Sequence, residues 1–156
     1  MKLWDLRVVV DDLSGPEVAA LLDDHLQAMH ANSPPGSVHA LDLAGLRDPD
    51  LTFWSAWNGD DLAGIGALKA LDEDHGEVKS MRTAPAYLRR GVAAAVLAEI
   101  IATARSRGYD RVSLETGHGP PFDAALALYV RFGFVPCGPF AGYSRDSFSR
   151  FFSLEL

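Results

Sequence analysis

A basic turn that precedes a long helical pattern is the part of this chain best suited to bind an anion. Residues 88–91 read Leu-Arg-Arg-Gly, and from Val92 onward apolar residues recur at helical spacing. The first turn of a helix has free backbone N–H groups and a partial positive charge, so it attracts anions. Gly91 would let the backbone approach a ligand closely. The pattern predicts a cradle for a phosphate or pyrophosphate, although an ordinary strand–loop–helix unit with solvated arginines also fits it.

The elements on either side of this turn would hold it in place. A strand is predicted over residues 77–83, and Pro85 ends it because proline donates no amide hydrogen. A helix is predicted over residues 92–107, with Gly108 as its stop. The turn has neither the Gly-Lys-Ser/Thr of a Walker loop nor the glycine pattern of a dinucleotide-binding loop. The closest match to the latter, residues 64–66, lies inside an apolar strand run.

A second motif lies nearer the C-terminus. It consists of Ala125, then Leu-Tyr at residues 128–129, then Gly-Phe at residues 133–134. The GCN5-related N-acetyltransferase (GNAT) superfamily has this motif and, earlier in the chain, a loop of pattern Gln/Arg-x-x-Gly-x-Gly/Ala. Residues 88–93 match that loop at its glycine and alanine and depart from it at the leading position. The chain therefore resembles GNAT proteins, well over residues 52–156 and by element order alone over residues 1–49.

The resemblance implies that acetyl-CoA is the cosubstrate. Its diphosphate would bind at the turn, and its pantetheine arm would lie along the backbone of the central strand. A GNAT asparagine that contacts the cofactor is replaced here by phenylalanine, which we expect to pack on the pantetheine. The cofactor-binding residues implied in this way are Met81, Arg82, Thr83, Leu88, Arg89, Arg90, Gly91, Val92, Ala93, Ala94, Phe122 and Tyr129.

The resemblance also implies two catalytic residues. Tyr129 would donate a proton to the departing CoA thiolate, and Glu77 would accept a proton from the amine, directly or through water. Lys79 shares a face with Glu77 on a regular strand, so a structural Glu–Lys pair is an equally open interpretation. A bulge in this strand, usual in the family, would separate the two. Taken alone, Tyr129 also fits an amphipathic helix with its hydroxyl at the rim.

The acceptor pocket of the resembled family is commonly covered by the connection between the first two helices. We predict a loop over residues 30–36 and a short helix over residues 38–47 in this connection. Three polar side chains here either contact the acceptor or form an ordinary polar surface: His30, His39 and Asp42. Their interpretation as a metal cluster has no other support in the sequence, and no metal is predicted. The predicted acceptor contacts are His39, Trp54, Thr116, His118 and Tyr143.

The predicted fold is α+β, of mixed α/β character. The resemblance implies a mostly antiparallel central sheet with a splayed parallel strand pair at its centre, flanked by about four helices. The first helix is predicted to begin at Ser14 with a capping box, and to hold His25 as a packed, hydrogen-bonded histidine. A further helix is predicted over residues 123–132. The predicted strands cover residues 2–10, 52–57, 62–71, 77–83, 109–116, 134–137 and 149–156. All of residues 1–156 are expected to form one GNAT domain.

Composition and charge exclude several classes of protein. The net charge is −7, which argues against nonspecific nucleic-acid binding because that requires a basic face. No apolar run is long enough to cross a bilayer, and charged residues follow Met1 too closely for a signal peptide. The single cysteine, Cys137, excludes an internal disulfide. A cytoplasmic protein with neither a nucleic-acid nor a membrane partner is predicted.

The function predicted from the resemblance is transfer of the acetyl group of acetyl-CoA to a primary amine. The acceptor would be a small molecule, an amino acid or a peptide. Two alternatives stay open: a regulatory module that senses acyl-CoA with little catalysis, and an enzyme that transfers a different acyl group. A homodimer is compatible with the family, through residues 151–156 or an exposed tryptophan.

Overall fold

A computed structural model describes residues 5–156 of the chain as a mixed sheet with helices on both faces. The strands are β1 (Leu6–Val10), β2 (Leu51–Asn58), β3 (Asp61–Ala70), β4 (His75–Thr83), β5 (Arg111–Thr116), β6 (Val135–Pro136) and β7 (Arg150–Glu155). The helices are α1 (Pro16–Asn32), α2 (Leu43–Leu46), α3 (Val92–Ser106) and α4 (Asp123–Arg131). Single 3₁₀ turns occur at Pro35–Ser37, Pro85–Tyr87 and Pro120–Phe122. None of the helices in this part of the chain is long and apolar enough to cross a membrane.

The seven strands lie in the order β1-β2-β3-β4-β5-β7-β6. Every neighbouring pair is antiparallel except β4 and β5, which run parallel because α3 crosses over between them. This arrangement confirms the predicted fold class.

The parallel pair separates soon after it begins. β4 and β5 are in register only from His75 and Arg111 to Glu77 and Ser113. Beyond this point β5 pairs only with β7, so one edge of β4 is left without a neighbouring strand. A bulge interrupts the pairing of β3 with β4 where Ser80 takes a positive φ of 58°. The sheet therefore opens at its centre, and this opening positions the site described below.

Two apolar cores cover the two faces of the sheet. One lies under α3 and includes Val96 and Ile100; the other lies under α1 and includes Leu22 and Ile65. α3 approaches β3 very closely at Gly66, where an added Cβ would lie 2.6 Å from Val96 Cγ1. Gly64 is packed as closely, with an added Cβ 2.7 Å from Val92 Cγ1.

The N-terminal third departs most from the sequence-based expectations. The opening strand begins at Leu6; positions 2–4 of the predicted strand lie outside the described residues. The N-cap of α1 is Gly15, without a side-chain cap, because the Ser14 hydroxyl donates to Asp12 Oδ1 at 2.6 Å. α1 also continues to Asn32, so His30 is helical and not in a loop.

The helix predicted over residues 38–47 is only one turn long. It covers Leu43–Leu46 and begins after Asp42, whose Oδ1 accepts a hydrogen bond from the Gly45 amide at 2.8 Å. The hydroxyl of Ser37, just before this segment, donates to Asp146 Oδ2 at 2.7 Å. Residues 38–42 are left irregular, and Ser37 ties them to the C-terminal part of the chain.

The proposed dimer contacts are not favourably placed. β7 pairs with β5 on one side and, at Phe152 and Ser153, with β6 on the other, so the middle of this segment is not a free sheet edge. Trp54 is buried, and Trp57 is half-buried with its Nε1 donating to Ser55 Oγ at 2.8 Å. Neither tryptophan in residues 5–156 is therefore exposed.

Candidate active site

The opening between β4 and β5 forms a cavity of about 170 Å³. Apolar side chains line its α3 side, among them Met81, Leu114 and Tyr129, and polar side chains line its α1 side, among them Lys79 and Glu115. On β5 the neighbours Leu114 and Glu115 point to opposite faces, as successive residues of a strand do. On β4 the bulge at Ser80 separates Met81 from the face that Lys79 occupies. A ligand in this cavity would meet apolar groups at one end and charges at the other.

The basic turn lies beside the start of α3. Gly91 is the N-cap with φ 85°, a left-handed conformation that favours glycine, and Arg89 also has a positive φ of 62°. No side chain caps the helix, so its first N–H groups are not engaged by a capping side chain. Leu88 is exposed, and the Arg90 guanidinium lies 5.9 Å from the centre of the Tyr87 ring. The turn thus has the backbone geometry that anion binding requires.

The second feature of the site is the backbone of β4 beyond Glu77. Arg82 and Thr83 pair with Ile65 and Gly64 of β3 on one side. Their other side faces the position that β5 has left. An extended ligand can add to such an edge as a further strand and satisfy its backbone groups. The predicted pantetheine contacts at Met81, Arg82 and Thr83 therefore lie on an available edge.

Tyr129 lies at the apolar side of the cavity. It is buried, and its ring centre is 5.8 Å from that of Phe134. Burial raises the pKa of Tyr129 to about 12, so its hydroxyl carries a proton at neutral pH. Phe122 is buried close by on the same lining, with its ring centre 5.4 Å from Phe148. Both predicted cofactor contacts lie on the cavity.

Glu77 is engaged with two neighbours on the polar side. Its Oε2 accepts a hydrogen bond from Tyr143 Oη at 2.6 Å and lies 3.1 Å from Lys79 Nζ. Lys79 also donates to Tyr143 Oη at 2.9 Å, which closes a triangle of three side chains. The expected bulge is present, but it begins after Lys79, so it does not separate the pair. The Glu–Lys pair left open by the sequence is therefore formed.

Burial and the adjacent Glu77 raise the pKa of the Tyr143 hydroxyl, so it is a proton donor to that carboxylate. His39 packs edge-on against Tyr143, with ring centres 5.0 Å apart. These two predicted acceptor contacts therefore belong to the polar side of the site.

Glu115 is a candidate functional residue that the sequence analysis missed. It follows Ser113 on the same face of β5, and Ser113 is in register with Glu77 of β4. Burial raises the pKa of the Glu115 carboxyl, although a hydrogen bond with Ser149 and the charges of His39 and Lys79 act in the opposite direction. The sequence alone did not single it out, because the register that puts Ser113 next to Glu77 is a property of the folded sheet.

Of the remaining predicted acceptor contacts, one lines the cavity and two do not. Thr116 lies on the cavity lining. Trp54 does not: it is only 2% exposed in the core under α3, because its position on β2 points it to the opposite face of the sheet from α1. His118 is exposed, with its Nδ1 2.9 Å from the Phe148 carbonyl oxygen, and it is not among the residues that line the cavity. We therefore remove Trp54 and His118 from the site.

Two buried polar atoms on the lining have no hydrogen-bond partner within residues 5–156. They are His25 Nδ1 and Ser80 Oγ. Burial lowers the pKa of His25 to about 4, with the Arg82 charge acting in the same direction, so the ring is neutral at neutral pH. The prediction of a hydrogen-bonded His25 is wrong at this nitrogen.

A metal centre has no counterpart in the described part of the chain. Residues 5–156 contain no group of three or more histidine, cysteine or acidic side chains arranged to hold an ion. His30 lies within α1, and Asp42 is occupied as the cap of α2.

Comparison with known proteins shows which family this chain is similar to. The sequence model of the acetyltransferase (GNAT) family matches residues 18–134. The uncharacterized N-acetyltransferase YsnE of Bacillus subtilis (strain 168) is 53% identical over 151 residues, which cover 97% of this chain and 100% of YsnE. The uncharacterized N-acetyltransferase YedL of Escherichia coli (strain K12) is 54% identical over 149 residues, 96% of this chain and 94% of YedL. The chain belongs to the GNAT family, and its chemistry is that of an acetyltransferase.

Solved structures agree with this assignment. A candidate acyl-CoA N-acyltransferase from Klebsiella pneumoniae subsp. pneumoniae superposes with a TM-score of 0.81 at 27% identity, over 97% of this chain and 98% of that one. A GNAT acetyltransferase from Elizabethkingia anophelis with acetyl-CoA bound has a TM-score of 0.70 at 16% identity, over 97% and 99% of the two chains. The second likeness concerns the fold alone.

Proposed function

We propose that this protein transfers the acetyl group of acetyl-CoA to the primary amine of a small molecule, an amino acid or a peptide. The observation that carries the proposal is the cavity between β4 and β5, which is lined by Tyr129 on its apolar side and by carboxylates on its polar side. The uncapped N-terminus of α3 lies near the end of β4, since Val92 and the Thr83 backbone both pack around Gly64. The acetyl-CoA bound to the Elizabethkingia protein of the same fold supports this choice of cosubstrate.

The turn and the open strand edge would divide the binding of the cosubstrate between them. The diphosphate would accept hydrogen bonds from the amides that follow Gly91, with Arg89 and Arg90 adding positive charge. The pantetheine arm would hydrogen-bond along residues 81–83 of β4. Backbone N–H groups at this place would also polarise the thioester carbonyl, which stabilises the charge that develops on its oxygen during attack.

The acceptor must lose a proton before it can attack. An alkylamine has a pKa of about 10, as lysine does, so little of it is neutral at physiological pH. We propose that Glu115 accepts this proton, since it lines the cavity and burial raises the pKa of its carboxyl. Glu77 is the second carboxylate of the site, but its Oε2 is already held by Lys79 and Tyr143.

The transfer then balances as follows. The amine nitrogen attacks the thioester carbon, a C–N bond forms and the C–S bond breaks. Tyr129 gives its proton to the departing thiolate, and the proton released from the new amide nitrogen returns to Tyr129 through water. Glu115 passes the first proton to solvent. The products are the acetylated amine and free CoA.

A thiol-release assay with acetyl-CoA and a panel of amines tests the proposal, together with calorimetry to measure CoA binding. We expect CoA to bind and at least one amine to release thiol at a rate well above hydrolysis. CoA binding without thiol release from any amine would instead support the acyl-CoA-sensing module. Absence of CoA binding would contradict both functions.

A further inference from the structure

A second cavity of about 590 Å³ adjoins the polar end of the first. The two cavities share three lining residues, His39, Glu77 and Lys79, so one molecule can extend from one into the other. The outer wall of the second cavity is the loop of residues 141–146, and its floor includes Lys69 of β3.

Positive charge is concentrated around this second cavity. The chain has a net charge of −7, yet both lysines of residues 5–156, Lys69 and Lys79, line it, and Arg145 lines it from the loop. Lys79 is bound to Glu77. Lys69 lies opposite Glu77 in the β3–β4 register but forms no ion pair with it.

The two acidic side chains on the lining already have partners. Glu77 is held by Lys79 and Tyr143. Asp146 accepts hydrogen bonds from the Ser37 hydroxyl and from two backbone amides, which lower its pKa to about 2. Among the described residues, no hydrogen bond or ion pair engages the side chains of Lys69 and Arg145. These two cations are therefore available to a ligand.

We propose that this second cavity binds a carboxylate of the acceptor through Lys69 and Arg145. The preferred substrates are then amines that also carry a carboxylate, such as amino acids. The inference rests on the proposed function, because the amine of the same molecule must reach the first cavity beside Glu115. The planar fork of an arginine matches the two oxygens of a carboxylate, and a lysine adds a compact charge beside it.

The test compares acceptors that differ only in the acid group. Thiol release is measured with the protein amino acids, β-alanine and 4-aminobutyrate, each beside its carboxamide. We expect kcat/KM for the best acid to exceed that of its amide by about tenfold or more, as the loss of a charge-assisted hydrogen bond implies.

Three variants locate the effect. Arg145→Gln and Lys69→Gln should each raise KM for the best acid by about tenfold and leave its kcat nearly unchanged. Neither variant should change kcat or KM for the corresponding amide. Arg105→Gln, an exposed arginine near the end of α3, is the matched control and should change neither acceptor. Melting temperatures of all variants should match the parent, which excludes unfolding as the cause.

Calorimetry supplies a readout that does not depend on turnover. The probe is the hydroxy acid that corresponds to the best amino acid, titrated into the CoA-bound protein; L-lactate serves if no acid is turned over. We expect binding to the parent and weaker binding to Arg145→Gln.

Two results would overturn the inference: equal kcat/KM for acids and their amides, or hydroxy acid binding that is absent from the parent or unchanged in Arg145→Gln. The first result would leave the proposed function intact, since amines without a carboxylate would still cause thiol release. Thiol release by no amine at all would count against the function itself, and the calorimetric measurement would still decide on the carboxylate site.

Discussion

Two glutamates near the same cavity have different surroundings. Glu77 is held on one oxygen by Lys79 and Tyr143, whereas burial dominates at Glu115 and raises its pKa. The sequence could predict the Glu77–Lys79 pair, because residues two apart on a strand share a face. It could not predict the contribution of Tyr143, which lies 66 residues from Glu77 in the chain. Glu115 was identified only from the structure, where it follows Ser113, the β5 residue in register with Glu77, and lines the same cavity.

Replacement of Glu115 by glutamine tests its role as the base. Glu115→Gln should lower kcat by about 10²-fold or more at neutral pH, and the loss should shrink as the pH rises and the free amine accumulates. Because the pKa of Glu115 is raised in the fold, its ionisation costs stability as the pH rises, so the variant should be more stable than the parent at pH 8. The measurements are pH–rate profiles and urea unfolding.

Glu77→Gln provides the comparison. It should disturb the triangle with Lys79 and Tyr143 and change kcat with little dependence on pH. A pH-dependent loss larger than that of Glu115→Gln would assign the base to Glu77 instead.

Tyr129→Phe tests the proton donor. The phenyl ring should keep the packing against Phe134, so the KM for acetyl-CoA should hold while kcat falls by roughly 10²-fold. Tyr109→Phe, a buried tyrosine that does not line the cavity, is the control and should retain full kcat. Equal turnover by Tyr129→Phe and the parent would refute the assignment.

His25 makes stability depend on pH. Its pKa is about 4 in the folded protein and about 6.5 when unfolded, so the folded state resists protonation. Stability should therefore fall as the pH drops from about 6.5 toward 4, by up to roughly 3 kcal/mol. His25→Leu should remove most of this loss, measured by urea unfolding at pH 7 and pH 4.5. An identical pH dependence in variant and parent would contradict the neutral, buried state of His25.

At the scale of elements, α3 and the turn before it were the most predictable part of the chain. The apolar spacing from Val92 and the stop at Gly108 predicted a helix, and the structure has one over Val92–Ser106. The segment before β2 was the least predictable. Its path depends on long-range hydrogen bonds such as Ser37 to Asp146, 109 residues apart, which local patterns do not encode.

Variants at two glycines, one at each end of α3, distinguish an effect on CoA binding from an effect on stability. Gly91 and Gly108 have φ values of 85° and 79°, and an added Cβ at either would meet no atom within 4 Å. Gly91→Val and Gly108→Val should therefore lose similar stability, about 1–2 kcal/mol, from backbone strain. Only Gly91→Val should weaken CoA binding, by tenfold or more, because only its side chain lies at the proposed diphosphate. Calorimetry with CoA checks this, and equal affinity of the two variants would contradict it.

At the scale of the whole molecule, the opening between β4 and β5 is the feature around which all parts of the site lie. The same opening exposes one edge of β4, brings Tyr129 to one side of the sheet and brings Glu77 and Glu115 to the other. The crossover helix predicted that β4 and β5 run parallel. That the pair is splayed was implied by the resemblance to the GNAT superfamily. Neither could predict the second cavity, since Lys69 and Arg145 meet there only through the path of the loop at residues 141–146.

A crystal structure of the protein with acetyl-CoA tests the central claim most directly. The account predicts that the diphosphate contacts the amides at the start of α3. It also predicts that the pantetheine lies along residues 81–83 of β4, with the sulfur near the Tyr129 hydroxyl. A nucleotide bound away from the turn at residues 88–94, or a pantetheine arm outside the opening between β4 and β5, would contradict it.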